Sequence, residues 1–472
     1  MNIFAISLRN FRGFQDSMIE LKPLTVLLGP NSAGKSSFGH ALAAMAHAHK
    51  VYRSGVPVSL TPPKTEVDKW PVDLGEFNDL RTTGTNGRVQ IGLKTRTGML
   101  ELGFGGLSHS PDLILSYVLH PSGVQSASTA SPGTDTPRIA EGVKGEIIPA
   151  QYEQIATAER GVVTLEKINE LEWREGKEQV STIFAGLVLN AVQHMTAGTA
   201  QVLSGAARDD LGDFLDNLTY LRANRKRPSR SYQDDVSFPQ PIGYSGECAP
   251  SVLFKQGEML VQYHWATAIP NSVAEAKSMA NKWESRETRL KDAVGQWLSW
   301  FHLGTQVDVS LRSELEKWLK LRVTLEGQSS HDITEIGFGV SQIIPVLVAG
   351  LLQKKEGPLV VDLPEGHLHP RAQGLIADFF CSMAVTGQSA IVETHSEMFF
   401  NRLRLRAAMN PELMKDIAVY FISQPKNGIC SRPRPVGLSF EDEVHWPDGF
   451  LQEGWETENR INAVRKSQNN EQ

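Results

Sequence analysis

The chain has 472 residues, 40% hydrophobic and 21% charged, with a formal net charge of −6. At roughly 100–200 residues per domain it holds two to four structural units, which can bury a core without disulfide or metal staples. The balance of 47 Lys plus Arg against 53 Asp plus Glu excludes a chain that coats nucleic acid through bulk positive charge. Cys248, Cys381 and Cys430 are far apart and lack CxxC spacing, which excludes a disulfide framework and a zinc knuckle and fits a reducing cytoplasm.

Phe4–Leu8 and Leu24–Leu28 read as strands, the second a continuous apolar run of the buried type. Lys35–Ala48 reads as an Ala-rich helix, and residues 51–87, rich in Pro and Thr, as loop. Three β-like runs between Arg88 and His120 predict an antiparallel sheet. Pro121–Pro137 is dense in Ser, Thr, Pro and Gly and reads as a flexible loop. Residues 150–222 read as helical, and a basic stretch, Arg222–Arg230, follows. Residues 271–303 read as a pair of helices carrying Trp283, Trp297 and Trp300 on apolar faces. Two strands come next, QVDVSL and KLRVTLEG, and helix alternates with strand from Asp332 to Ile422. The longest apolar run, Ile343–Leu352, falls far short of the ~20 residues a spanning helix needs, so no membrane span is expected. The start, MNIFAISLRNFRGF, has no apolar core behind a basic start and does not read as a signal peptide. The polar end, NAVRKSQNNEQ, reads as a frayed tail.

Gly29-Pro30-Asn31-Ser32-Ala33-Gly34-Lys35-Ser36 matches GxxxxGK[ST] and stands between a buried-type strand and a helix. Such a loop turns backbone N–H groups onto phosphates, and the helix N-terminus adds partial positive charge. Lys35 is placed to reach the β- and γ-phosphates and Ser36 to hold Mg²⁺. A phosphate loop needs an acidic partner. Leu359-Val360-Val361-Asp362 is an apolar strand ending in a carboxylate, with Glu365 three residues on. A further strand, Ala390-Ile391-Val392, leads into Glu393-Thr394-His395-Ser396, which sets His395 at a strand end where it reaches the γ-phosphate or the attacking water. Between these halves lies Gly337-Phe338-Gly339-Val340-Ser341-Gln342, an anion-binding corner at a helix start. His367 and His369 lack further clustered ligands and read as structural rather than as a zinc pair.

With these motifs in order, the sequence resembles ATP-binding-cassette ATPase heads of the SMC, RecF and OLD branch, and within it the compact AAA ATPases of bacterial antiphage defence loci. The segments that carry the resemblance are NFRGF at 10–14, GPNSAGKSS at 29–37, IGFGVSQIIPVL at 336–347, VVDLPEGHLHPRAQ at 360–373 and ETHSEMFFNRLR at 393–404, with DGFLQEG near 448. It implies an α/β fold, a split two-lobe ABC-type head with a β/α-rich mid-chain insertion. The N-terminal lobe is expected at 1–105, the insertion at 106–330, the C-terminal lobe at 331–440 and a tail at 441–472. It implies ATP and Mg²⁺ as cofactors. Gly29, Asn31, Ser32, Ala33, Gly34, Lys35, Ser36 and Ser37 would surround the phosphates, Ser36 and Asp362 the magnesium, and Arg12 would lie near the nucleotide. Glu365, His395 and Asp362 are the expected catalytic groups. Two copies would close head-to-tail, with Gly339 and Ser341 of one capping the γ-phosphate held by Lys35 of the other.

The chain departs from the family where Leu363 follows Asp362, since the family often has an acidic or amide residue there. Glu365 is the nearest replacement, or else it orients His369 or the dimer contact, and slow hydrolysis is expected. Asn78 or Asp79 is the candidate for the family's loop glutamine. Larger OLD-type proteins add a Toprim nuclease, whose two-metal chemistry needs several carboxylate clusters. Only Glu441-Asp442-Glu443 clusters after His395, so any nuclease or toxin is expected to be a separate effector. The leading function is an ATP-dependent sensor or scaffold of antiphage defence. The alternative is a RecF-like DNA repair ATPase using Arg222–Arg230, a stretch that equally fits an acidic partner, the nucleotide site or a solvated loop. A transporter's nucleotide-binding subunit fits poorly, given the large insertion and the ETHSE pattern.

Overall fold

The computed structural model describes residues 3–53, 205–234, 240–265, 283–313, 317–424 and 432–438, parts of 70–95, and the strands between 98 and 203. The loop read at 121–137 (its Val124–Ala127 strand apart), most of 51–87, the 441–472 tail and DGFLQEG lie outside the described residues. The Leu24–Leu28 strand is buried at every residue, as a strand covered on both faces must be. It belongs to a six-stranded sheet ordered Thr219–Leu221, Pro358–Asp362, Ser389–Thr394, Leu24–Leu28, Ile417–Phe421 and Arg434–Pro435. The first five strands run parallel, and the last is antiparallel. Opposite ends of the chain therefore meet in one sheet: Glu393 pairs with Leu27 on one side and with Asp362 on the other.

Side chains alternate across a strand, and the alternation assigns each face of this sheet. Leu27, Tyr220, Val360 and Ile391 share one hydrophobic cluster with Phe38, Leu42 and Met45 of the helix Ser36–Arg53. Leu24, Val26, Leu28, Leu221, Leu359, Val361, Ala390 and Val392 share the other, with the helices Phe338–Leu352 and Pro370–Thr386. Helices on both faces of a parallel sheet make the α/β head expected from the sequence. Asp362 continues the parity of Val360, and Glu393 that of Ile391. Both carboxylates thus stand on the face that carries the phosphate-loop helix.

A second sheet is antiparallel throughout and holds eleven strands among the described residues. It begins with Phe14–Glu20, Ile3–Phe11 and Val89–Thr95 and continues through Gly98–Leu107 and Ser110–Leu119 into Val188–His194. It runs unbroken across the expected boundary at 105–106, and Thr219–Leu221, from the expected insertion, joins the parallel sheet.

Two secondary-structure expectations are corrected. Among the described residues of 150–222, Leu171–Glu175, Glu178–Ala185, Val188–His194 and Ala200–Leu203 are strands where helix was expected, and Gly205–Asn217 is helical. β-Branched Val180, Thr182 and Ile183 favour the pleated hairpin that Glu178–Ala185 forms with Val188–His194. Within 271–303 only Leu290–Trp300 is helical among the described residues. Glu284–Arg289 is a strand paired with Leu260–Trp265. Two of its charged residues meet partners across the ladder, where Gln262 donates to Glu287 at 3.3 Å and Arg286 stacks 4.6 Å over Trp265. The helix is held inward by the fully buried Trp297 and by Trp300, whose indole N–H donates to Asp378 at 2.9 Å.

Gly29 shows why the loop can turn off its strand. Its φ is +150°, and a Cβ there would stand 2.1 Å from the Ile422 carbonyl oxygen. The Ile422 N–H in turn donates to the Leu28 carbonyl at 2.8 Å, so this backbone cannot withdraw. Gly29→Ala is expected to destabilise the protein by about 2 kcal/mol or more. Urea unfolding checks this, and an unchanged midpoint would contradict it.

Candidate functional site

The loop from Gly29 to Lys35 follows its strand and enters the helix at Ser36. Gly34 has φ +94° and Ser32 +61°, conformations that bend the backbone into a concavity. Asn31 and Ser32 are exposed at the tip, Ala33 and Ser37 are buried beneath it, and Gly34 and Ser36 lie at the rim. Lys35 is 2% exposed and folds back to donate from Nζ to the Pro30 carbonyl at 2.7 Å. Burial lowers its pKa, while Glu393 and Glu365 oppose that shift.

The acidic side of the site is assembled from other strands. Ser36 Oγ donates to Glu393 Oε1 at 2.9 Å, and Lys35 Nζ lies 3.9 Å from the same oxygen. Asp362 is 5% exposed and accepts from the Tyr220 hydroxyl at 2.6 Å. The helix lies close on the acidic strand at Gly39, where a Cβ would be 3.4 Å from Asp362 Oδ1. Ser36, His40, Tyr220, Arg222, Asp362 and Glu393 line a cleft of about 350 Å³. Burial first, and then the Glu393 charge, push the Asp362 pKa up to about 8. Burial likewise raises Glu393, against the Ser36 hydrogen bond and Lys35.

Arg12 reaches this cleft through a histidine. Its guanidinium donates to His40 Nδ1 at 2.7 Å, so Nδ1 is unprotonated and Nε2 carries the proton, 3.8 Å from Asp362 Oδ2. Burial, followed by Arg12 and Arg222, drives the His40 pKa down to about 3 and keeps the ring neutral.

Glu365 does different work. Its Oε1 accepts from Thr394 Oγ1 at 2.6 Å and from the His395 N–H at 3.0 Å, and the Ser396 N–H donates to Thr394 Oγ1 at 3.0 Å. The His395 ring closes the loop onto the phosphate cradle by donating from Nδ1 to the Gly29 carbonyl at 2.8 Å. Burial lowers the His395 pKa, with Lys35 adding to the effect. His369 caps the helix Pro370–Thr386, accepting from the Arg371 N–H at 3.3 Å, and His367 meets the Phe338 ring at 4.7 Å.

The Gly-Ser corner opens the helix Phe338–Leu352. Ser341 is 8% exposed, and its hydroxyl donates inward to the Phe338 carbonyl at 2.7 Å. Gly339 is packed so closely that a Cβ would be 2.7 Å from the His367 carbonyl oxygen. Gly337 and Phe338 form the exposed face of this helix start. The basic stretch also divides. Arg225 is 2% exposed and donates to the Asp362 carbonyl at 3.0 Å and the Leu363 carbonyl at 2.7 Å. Arg222 donates to the Pro71 and Trp70 carbonyls. Of the basic residues in this stretch, Lys226, Arg227 and Arg230 are the exposed ones. Asp79 sits exposed in the short helix Phe77–Leu80, which also contains Asn78.

Sequence reasoning missed Glu393, Tyr220 and His40 as parts of this site. A signal for Glu393 was present: it shares the parity of Ile391 within a strand already assigned next to the nucleotide. Ser36 and Asp362 offer oxygens that suit a magnesium ion, and on Glu393, which Ser36 contacts, the buried Oε2 has no hydrogen-bond partner among the described residues. No group of three or more His, Cys, Asp or Glu gathers among the described residues, so phosphate oxygens would have to complete the coordination. No helix among them is long and apolar enough to cross a membrane.

A family model described as an AAA ATPase domain matches residues 1–114, the segment that contains the phosphate loop. No curated protein matches the sequence. The chain is similar to the SMC head domain from Thermotoga maritima, at 10% identity and a TM-score of 0.34, over 93% of this chain and 100% of that one. It is also similar to the Smc head domain with an extended coiled coil bound to the C-terminal domain of ScpA, derived from Pyrococcus furiosus. There the identity is 9% and the TM-score 0.40, over 93% of this chain and 96% of that one. The domain match and the site geometry together support an ATP-binding α/β head.

The raised Asp362 pKa has a consequence for stability without nucleotide. A folded-state pKa above the unfolded one contributes stability below the ordinary carboxylate range, and that contribution is lost as pH rises through the folded value. The groups facing Asp362 are Glu393, Tyr220, His40 and Arg225. Between about pH 5 and about pH 9 the nucleotide-free protein is expected to lose stability, and Asp362→Asn to lose less, by about 1 kcal/mol or more. Urea unfolding at the two pH values reads this, and parallel losses in the two proteins would contradict it.

Proposed function

We propose that the chain binds and hydrolyses ATP with magnesium and closes head-to-tail with a second copy, acting as a sensor or scaffold that controls a separate effector in antiphage defence. One observation carries this reading: Lys35, Ser36, Asp362 and His395, from opposite ends of the chain, converge at the C-terminal edge of one parallel sheet. Ligand sites of open α/β sheets form at that edge. Main-chain N–H groups of the Gly29–Ser36 loop and Lys35 hold the phosphates, and Ser36 and Asp362 hold the magnesium. Bound there, the metal neutralises phosphate charge and polarises the γ-phosphoryl group.

His395, fixed by Glu365 and by the Gly29 carbonyl, lies where it orients the attacking water. Glu365 has one oxygen committed to the His395 loop, which suits positioning more than proton transfer. Leu363 supplies no base, and slow turnover follows. The exposed Phe338 and Gly337 form the face offered to a second copy, beside His367. The defence role rests on the motif resemblance and on the separate effector it implies.

Two variants test the reading. Lys35→Ala is expected to weaken ATP binding by about 100-fold, since a charge-assisted phosphate contact contributes about 1.5–3 kcal/mol and the cradle depends on it. Calorimetry measures this, and unchanged affinity would remove the proposal. Phe338→Glu is expected to block ATP-dependent dimer formation while leaving nucleotide affinity within about twofold, as a change at an exposed side chain should. Light scattering with and without ATP reads the assembly. An intact dimer would place the contact elsewhere. DNA-stimulated turnover that depends on Lys226, Arg227 and Arg230 would instead favour a DNA repair role.

A further inference from the structure

One carboxylate of the cleft has no assigned role. Glu393 ends the strand Ser389–Thr394, which lies between the phosphate-loop strand and the Asp362 strand. Register sets it level with Asp362, and parity sets both on the face of the Ser36–Arg53 helix. Its Oε1 accepts from Ser36 Oγ at 2.9 Å, the hydroxyl assigned to magnesium. Its Oε2 is buried without a hydrogen-bond partner among the described residues, in a residue only 7% exposed. Lys35 lies 3.9 Å from Oε1, and its ammonium donates instead to the Pro30 carbonyl.

A buried carboxylate with one oxygen unsatisfied is costly unless a further partner arrives. A structural role alone, bracing Ser36 and Lys35, would use Oε1 and leave Oε2 unexplained. The neighbouring position supplies the complement. Leu363 stands directly after Asp362, where the sequence lacks an expected carboxylate, and its N–H donates to the Glu393 carbonyl at 2.9 Å. Leu363 and Glu393 are thus main-chain neighbours across one ladder. Magnesium favours one or two carboxylates completed by substrate phosphates and water.

We propose that Glu393 is a magnesium-side ligand of the nucleotide site, reaching it from the strand beside Asp362. This rests on the reading of the cleft as an ATP–magnesium site. The Ser36 hydroxyl, released from its hydrogen bond to Glu393, joins Asp362 and Glu393 around the ion. The ion gives Oε2 its partner.

The test uses the full chain and a non-hydrolysable ATP analogue, titrated by calorimetry with excess magnesium and again with a chelator. Glu393→Gln should bind the analogue as the unaltered chain does under chelation, and should lose about tenfold or more of the affinity that magnesium adds, as lost metal-site groups typically do. An undiminished gain in Glu393→Gln would overturn the proposal. If circular dichroism shows that Glu393→Gln does not fold, Glu393→Ser is read by the same criterion. Lys35→Ala separates the two levels: if it binds the analogue normally, the nucleotide site itself is misread, whatever Glu393 does.

Discussion

The structure depends on the strand Ser389–Thr394 being hydrogen-bonded on both sides. On one side it pairs with Leu24–Leu28 and on the other with Pro358–Asp362. A parallel ladder fixes not only which segments touch but also which residues stand level, because the register repeats every two residues. Glu393 is therefore level with Leu27, one residue before the end of the phosphate-loop strand, and with Asp362. A slip of one residue would send both carboxylates to the opposite face, among Val361 and Val392. The apolar runs on either face oppose that slip, since each buries its own side in a separate cluster.

This architecture concentrates charge in a place that cannot easily carry it. Asp362, Glu393 and Glu365 are each less than a tenth exposed, and Lys35 and Arg225 are 2% exposed. Arg225 addresses main-chain carbonyls, not carboxylates, and Lys35 addresses its own loop. Asp362 and Glu393 thus face each other with little direct compensation, and both are pushed toward the protonated state. Binding a triphosphate with its metal would supply the missing cation and draw Lys35 outward. Ligand binding and stability are linked wherever the ligand prefers the folded chain, so the occupied head should be the more rigid one. The His395 loop would share in this, because Glu365 and the Gly29 carbonyl hold it from two sides.

The sequence was most informative where local and tertiary demands agree. Leu24–Leu28, the glycine loop and the Ser36 helix were legible because the buried run, the turn residues and the helix start each have a physical signature. Asp362 was legible as the end of an apolar strand. Arg225 was legible only as one alternative, within a basic run that equally fitted solvated surface, and the fold shows that it donates to the Asp362 and Leu363 carbonyls. Ser341 was read from its glycines, yet its hydroxyl is used within its own helix turn. Glu284–Arg289 was missed because its charged residues have weak strand preference and gain their stability from Leu260–Trp265, which no local window contains. Tyr220 and His40 act on Asp362 from distant parts of the chain, and nothing in their own neighbourhoods announces it.

The most direct measurement is a crystal structure of the full chain grown with a non-hydrolysable ATP analogue and manganese, whose anomalous signal locates the metal. The account predicts the triphosphate against the Gly29–Ser36 main chain, with the anomalous peak between Ser36, Asp362 and Glu393. A triphosphate bound elsewhere, or a metal that contacts neither carboxylate, would contradict it.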